Sequence, residues 1–155
     1  MVGHNKGKMC ATVSSNTEVP VSCGLYSRLE REWRVQKRRG ATNHLWSLDL
    51  KLGTCSNLSL IHPNELRLLV DDDGDFSNGG TNCYMNGDQS GIIMTYNNPV
   101  LTIGNIPDSL ITTNGNATRF LTIGSVSVAT PLPVGLTSFT ACLLYTSPSP
   151  RDSDS

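Results

Sequence analysis

The sequence predicts an all-β protein, an antiparallel β-sandwich of immunoglobulin-like or jelly-roll-like type, and three observations carry that expectation. Short segments alternate apolar and polar residues, the period of a half-buried strand. Turn-forming residues separate them at short intervals, among 14 Gly and 8 Pro. Long tracts of Ala, Glu, Leu and Lys are missing, and Thr, Ser and Asn are frequent in the second half, a composition that favours strands over helices. A chain of 155 residues suits one domain.

Taken in order, Met1 to His4 reads as the end of a strand, and Asn5 to Pro20 is polar and irregular. Residues 26 to 37 alternate: Leu29, Arg31, Trp33 and Val35 share one side, Glu30, Glu32, Arg34 and Gln36 the other. Trp33 and Val35 at period two favour a strand, with Arg31 at a sheet end where its head reaches water. Lys37 to Gly40 is a basic turn. Leu45 to Leu52 places Trp46, Leu48, Leu50 and Leu52 inward and Ser47, Asp49 and Lys51 outward, as in an antiparallel strand with one wet face. Asn57 to Ile61, Leu66 to Val70, Ile92 to Tyr96, Val100 to Ile106 and Phe120 to Val128 supply further strands, with a turn at Asn114-Gly115-Asn116. Seven or so strands joined by short turns suggest a sandwich.

Charge gives no lead toward an anionic partner. The net charge is −1 and 16% of residues are charged, so neither nucleic acid nor an anionic membrane is expected. No apolar run approaches the roughly 20 residues of a membrane helix. The start, Met1-Val-Gly-His-Asn5, lacks the basic and apolar regions of a signal peptide, which suits an internal methionine of a truncated reading frame.

Cys10, Cys23, Cys55 and Cys83 permit two disulfides in three connectivities. Sequence order favours Cys10–Cys23 and Cys55–Cys83, a pairing that would close the chain around the acidic loop. Zinc is the weaker reading, because no Cys-x-x-Cys occurs and His4, His44 and His62 are scattered. Disulfides imply an oxidising, extracellular setting.

The one stretch with the look of a chemical site follows the strand from Leu66. Asp71, Asp73 and Asp75 alternate, with Asp72 between them and Ser77 and Asn78 after them. Calcium takes six to eight oxygens, and Asp-x-Asp-x-Asp offers several from one short turn; Asp71, Asp73 and Asp75 are the candidate ligands. An EF-hand is excluded, because its sixth position is Phe76 instead of Gly and its twelfth is Asn82 instead of Glu. The competing reading is a solvated loop in which an Asp caps a turn. No catalytic residue is expected, since every acid of the cluster sits in one segment and no second acid or base is evident elsewhere.

Three segments together carry a family resemblance: Leu29-Glu-Arg-Glu-Trp-Arg-Val-Gln36, Leu66-Arg-Leu-Leu-Val-Asp-Asp-Asp-Gly-Asp-Phe-Ser77 and Thr130-Pro-Leu-Pro-Val-Gly-Leu-Thr-Ser-Phe-Thr-Ala141. The first two resemble a β-rich domain of unknown function from large bacterial surface proteins, which often follows a concanavalin-like lectin domain. Met1 to Asn5 resembles the strand preceding it there. The third resembles the segment leading into a type IX secretion sorting domain, although that family usually has an acidic residue where Gly135 stands. The resemblance implies export and no activity. Residues 142 to 155 resemble one reading frame of a transposase-type sequencing-library adapter, without a gap from Cys142 to Asp152.

The expected organisation is a β-sandwich module at 1–130, truncated at its N-terminus; a linker at 131–141 toward a missing sorting domain; and an adapter-derived, disordered tail at 142–155. The expected function is a non-catalytic structural or adhesion module of a secreted or cell-surface protein. Its partners would be other domains of the same chain or surface polysaccharide. The alternatives are an accessory module of a secreted hydrolase, and a carbohydrate-binding module. The last is disfavoured because Trp33 and Trp46, the two tryptophans, both take inward positions, and sugar platforms need exposed aromatics.

Overall fold

Alternation at period two gives each strand one face to bury, and two facing sheets bury those faces against each other. The computed structural model describes residues 2–4, 12–13, 19–36, 44–52, 61–111, 118–127 and 136–143. Within them run β1 (Val2–His4), β2 (Thr12–Val13), β3 (Ser27–Leu29), β4 (Trp33–Gln36), β5 (Leu45–Leu52), β6 (Leu66–Asp71), β7 (Asn82–Met85), β8 (Ile93–Asn97), β9 (Val100–Pro107), β10 (Thr118–Ser125) and β11 (Leu136–Leu143). A one-turn helix, α1 (Asp108–Ile111), follows β9. None of the described helices is long and apolar enough to cross a membrane. The basic turn at 37–40, the turn at 114–116, Asn57 to Leu60 and the tail from 144 onward lie outside the described residues.

The first sheet is built on β10. One edge of β10 pairs with β6, which carries β7 beyond it; the other edge pairs with β3 and β4, placed end to end, with β2 and β1 outside them. The second sheet runs β11-β5-β9-β8. Every pairing is antiparallel. The expected sandwich is therefore the observed architecture. Leu29, Trp33, Leu68, Val70, Leu121 and Ile123 of the first sheet meet Leu48, Leu50, Met94, Leu101, Ile103 and Ile106 of the second in one core.

Both tryptophans lie against that core. Trp33 is 3% exposed. Trp46 is half-buried, and its indole N–H donates to Asp108 Oδ1 at 2.9 Å.

Several elements differ from the alternation. The single strand expected over 26–37 is two strands with a break at residues 30–32. A break frees backbone carbonyls that must find donors. The buried Thr122 hydroxyl supplies one, reaching Arg31 O at 2.8 Å and Leu29 O at 3.3 Å. Arg31, expected at a sheet end, lies in this break. Ser47, expected outward, is buried, next to an irregularity in register between Trp46 and Leu48. β7 carries no alternating apolar pattern, because it is an edge strand with partly exposed side chains. β11 occupies residues assigned above to a linker and continues through Cys142 and Leu143, pairing with β5 from Leu52 to Trp46.

Candidate functional site

The acidic loop covers part of the outer face of the first sheet. Residues of β6 alternate, so Leu66, Leu68 and Val70 face the core while Leu69 and Asp71 face away from it. Leu69 and Asp71 are nevertheless buried, at 0% and 1% exposure. Phe76, from the tip of the loop, is also buried, and the Arg28 guanidinium lies 4.9 Å from its ring centroid, within cation–π range. Arg28 pairs in turn with Glu32 at 3.1 Å. Phe76 stands where an EF-hand needs its glycine, and the fold uses that position for packing.

Within the loop Asp71, Asp73 and Asp75 turn toward N–H or O–H groups of the loop's own residues. Asp71 Oδ1 accepts from the Asp73 N–H at 2.9 Å and the Gly74 N–H at 2.8 Å, and its Oδ2 accepts from the Thr81 hydroxyl at 2.8 Å. Asp73 Oδ1 accepts from the Asp75 N–H at 2.8 Å, and its Oδ2 from the Asn78 amide at 2.7 Å. Asp75 Oδ1 accepts from the Ser77 N–H at 3.0 Å and from the Ser77 hydroxyl. Asp72 pairs with Arg119 of β10 at 2.8 Å. The sequence Asp-x-Asp-x-Asp thus writes a series of nested side-chain turns, in which short acceptors two residues apart satisfy the backbone of a tight loop. Gly74, at φ +86°, packs on Phe120: a Cβ there would stand 3.0 Å from the ring. Among the described residues no group of three or more His, Cys, Asp or Glu is arranged to hold a metal ion.

A second acidic turn, between β7 and β8, repeats the device. Asp88 Oδ2 accepts from the Met85 N–H and Oδ1 from the Ser90 N–H, both at 2.9 Å. Nothing in an alternation pattern marks Asp88, Thr81 or Arg119; the signal available was turn chemistry, Asp or Asn just ahead of Gly or Ser.

The disulfide connectivity differs from the expected one. Cys23 joins Cys83, with Cα atoms 5.9 Å apart, so neither Cys10–Cys23 nor Cys55–Cys83 forms. Cys83 sits opposite Leu69 in the β6–β7 register and so shares its outward face. The segment preceding β3 comes over that same sheet: Leu25 packs so closely on Gly124 that a Cβ there would stand 2.7 Å away. Sequence order favoured near neighbours, but contact across the sheet selected the pair. Cys10 and Cys55 lie outside the described residues.

Two expected outcomes follow from the loop. Asp71→Ala removes the acceptor of three donors at a buried position and should cost about 1–3 kcal/mol, with a smaller loss for Asp71→Asn; equilibrium unfolding measures both. The second outcome concerns acid. Asp73 is held below its ordinary pKa by the Asp75 N–H, then by Asp71 and the Asn78 amide. Partial burial works against the Asp88 carboxylate, but the Ser90 hydroxyl and the Met85 and Ser90 N–H groups outweigh it and lower its pKa. Lowered pKa values mean that the folded chain holds fewer protons than the unfolded one near the ordinary value of 3.8. Their stabilisation is present above that value and is lost as pH falls through the folded values. The melting temperature should therefore decline below about pH 4, and less steeply in Asp73→Asn. A melting temperature flat through this range would contradict the assignment.

Fold and loop together define a disulfide-tied antiparallel β-sandwich whose acidic turns are capped from within. The chain belongs to the family described as domain of unknown function (DUF8202), whose model matches residues 1–124. No curated protein and no solved structure matches the chain. The family range ends within β10, so β11 joins the second sheet from outside it.

Proposed function

We propose that the chain is a non-catalytic structural module of an exported protein, at the cell surface or secreted, joining or spacing other domains. The observation that carries this reading is the Cys23–Cys83 bond, because disulfides form and persist in oxidising compartments. The acidic loop supports it, since its carboxylates are engaged in holding the loop's own turns. The resemblance of residues 130–141 to the segment before a type IX sorting domain suggests that export route. The test uses the natural polypeptide in its own cells. Thiols are trapped with a mass-tagged alkylating agent, and intact cells are treated with external protease. Protein that is protease-accessible or in the medium, with Cys23 and Cys83 untagged until reduction, supports the proposal. A cytosolic chain with both cysteines tagged overturns it.

A calcium site at Asp71, Asp73 and Asp75 is the competing proposal for the loop. An ion bound to the native state alone stabilises it by about 2.7 kcal/mol at a hundredfold excess over its dissociation constant. Because Asp71 and Asp73 accept N–H and O–H groups at both oxygens and Asp75 at its Oδ1, melts in millimolar calcium and in chelator are expected to coincide. A rise with calcium that is smaller with magnesium and reduced in Asp73→Asn would establish the metal site and replace the structural account of the loop.

A further inference from the structure

An Asn-Gly pair is prone to intramolecular deamidation, because glycine leaves the following amide nitrogen unshielded by a Cβ. The described residues contain two such pairs, Asn78–Gly79 and Asn86–Gly87, and the fold treats them differently. At the second pair the attacking nitrogen is occupied: the Gly87 N–H donates to Ile92 O at 2.8 Å. Asn86 itself is half-buried, its Oδ1 accepting from the Met94 N–H at 2.7 Å and its Nδ2 donating to Asn64 Oδ1 at 2.7 Å. At the first pair both residues are exposed. Gly79, at φ +91°, has open space where a Cβ would stand, and its N–H donates to no acceptor among the described residues. The Asn78 amide is hydrogen-bonded too, its Oδ1 accepting from the Gly80 N–H at 3.1 Å and its Nδ2 donating to Asp73 Oδ2 at 2.7 Å. Both partners are exposed residues of the same loop, so the contrast between the pairs lies in exposure and in the Gly N–H.

We propose that Asn78 is a site of spontaneous deamidation in the folded protein, adding a carboxylate to the acidic loop. Base removes the Gly79 amide proton, and the nitrogen attacks Asn78 Cγ. A new N–C bond forms, the Cγ–Nδ2 bond breaks, and the amide nitrogen takes up a proton and leaves as ammonia. Water opens the resulting five-membered succinimide at either carbonyl, giving aspartate or isoaspartate at position 78. The balance is amide plus water to carboxylate plus ammonium, with no change of oxidation state. The product turns a donor into an acceptor where Asn78 now gives Asp73 a hydrogen bond of 2.7 Å, so the loop loses one closure and gains repulsion.

The test is ageing of the native wild-type protein at mildly alkaline pH. It is followed by reduction and chymotryptic mapping under mildly acidic conditions, where the reaction is slow. Cleavage after Phe76, Tyr84 and Tyr96 separates residues 77–84 from 85–96, and fragmentation distinguishes Asn78 from Asn82. Conversion at Asn78 is expected to run several-fold faster than at Asn86, and most of that difference should vanish in the unfolded, reduced chain. No gain at Asn78, or an equal or larger gain at Asn86 in the native protein, overturns the proposal. A preference of the same size in the unfolded chain overturns it as well, by assigning the difference to local sequence.

Discussion

Replacing Trp33 with alanine is expected to cost about 3–5 kcal/mol, the usual range for a buried aromatic. Trp33 is 3% exposed and stands on β4, where the first sheet is assembled from short pieces. Its backbone pairs with Leu121 of β10 and with His4 of β1, and its ring belongs to the core shared by the two sheets. Truncation would open a void beside a strand that is paired on both edges, with β1 and with β10, and cannot easily close over it. A loss of that size is a large share of the 5–15 kcal/mol that holds a typical domain together. It should lower the melting temperature by on the order of 10 °C. Trp46→Ala should cost less, because Trp46 is only half-buried. Urea unfolding of both variants measures the difference. A Trp33→Ala protein within 1 kcal/mol or so of wild type, well under the usual cost, would mean that the ring is not in the core.

Removing the Cys23–Cys83 bond is the second large effect. The bond closes a loop with a sequence separation of 60 residues. In the chain-entropy account such a cross-link stabilises by about 4 kcal/mol, by restricting the unfolded chain. It also ties the segment before β3 to the edge strand β7, on the face that the acidic loop covers. The Cys23→Ser/Cys83→Ser double variant should therefore melt well below the oxidised wild type. Digestion without reduction should yield one linked fragment containing both cysteines. Recovery of Cys83 linked to Cys55, or an unchanged melting temperature in the double variant, would remove this account.

The elements that were legible from sequence are those whose burial is one-sided. Leu45–Leu52, Leu66–Asp71 and Val100–Pro107 are central strands, and their alternation records which face meets the other sheet. β7 was illegible because an edge strand buries little. The break between β3 and β4 was illegible because both pieces keep the same inward parity, Leu29 then Trp33 and Val35, across residues that leave the ladder. β11 lies beyond Pro131 and Pro133, in a stretch that resembles a linker, and its place in the second sheet follows from pairing with β5. The acidic loop was found by composition, but the roles of its acids were not. Asp71 is buried beneath the loop while Asp73 and Asp75 are exposed, a difference that spacing cannot express.

By itself, then, the sequence determined the class of fold and the inward faces of its longer strands. Both are local consequences of a two-residue period and of turn residues that interrupt it. Tertiary structure decided which strands became neighbours, that β3 and β4 share one edge of β10, and that Cys23 finds Cys83. It also decided that Asp71 is buried beneath the loop and that Asp72 pairs with Arg119 of β10. Those outcomes depend on contacts between residues distant in the chain, such as Phe76 with Arg28 and Thr122 with Arg31. No local pattern encodes which distant partner will satisfy a buried group, because that choice is made by the packing of the whole sheet.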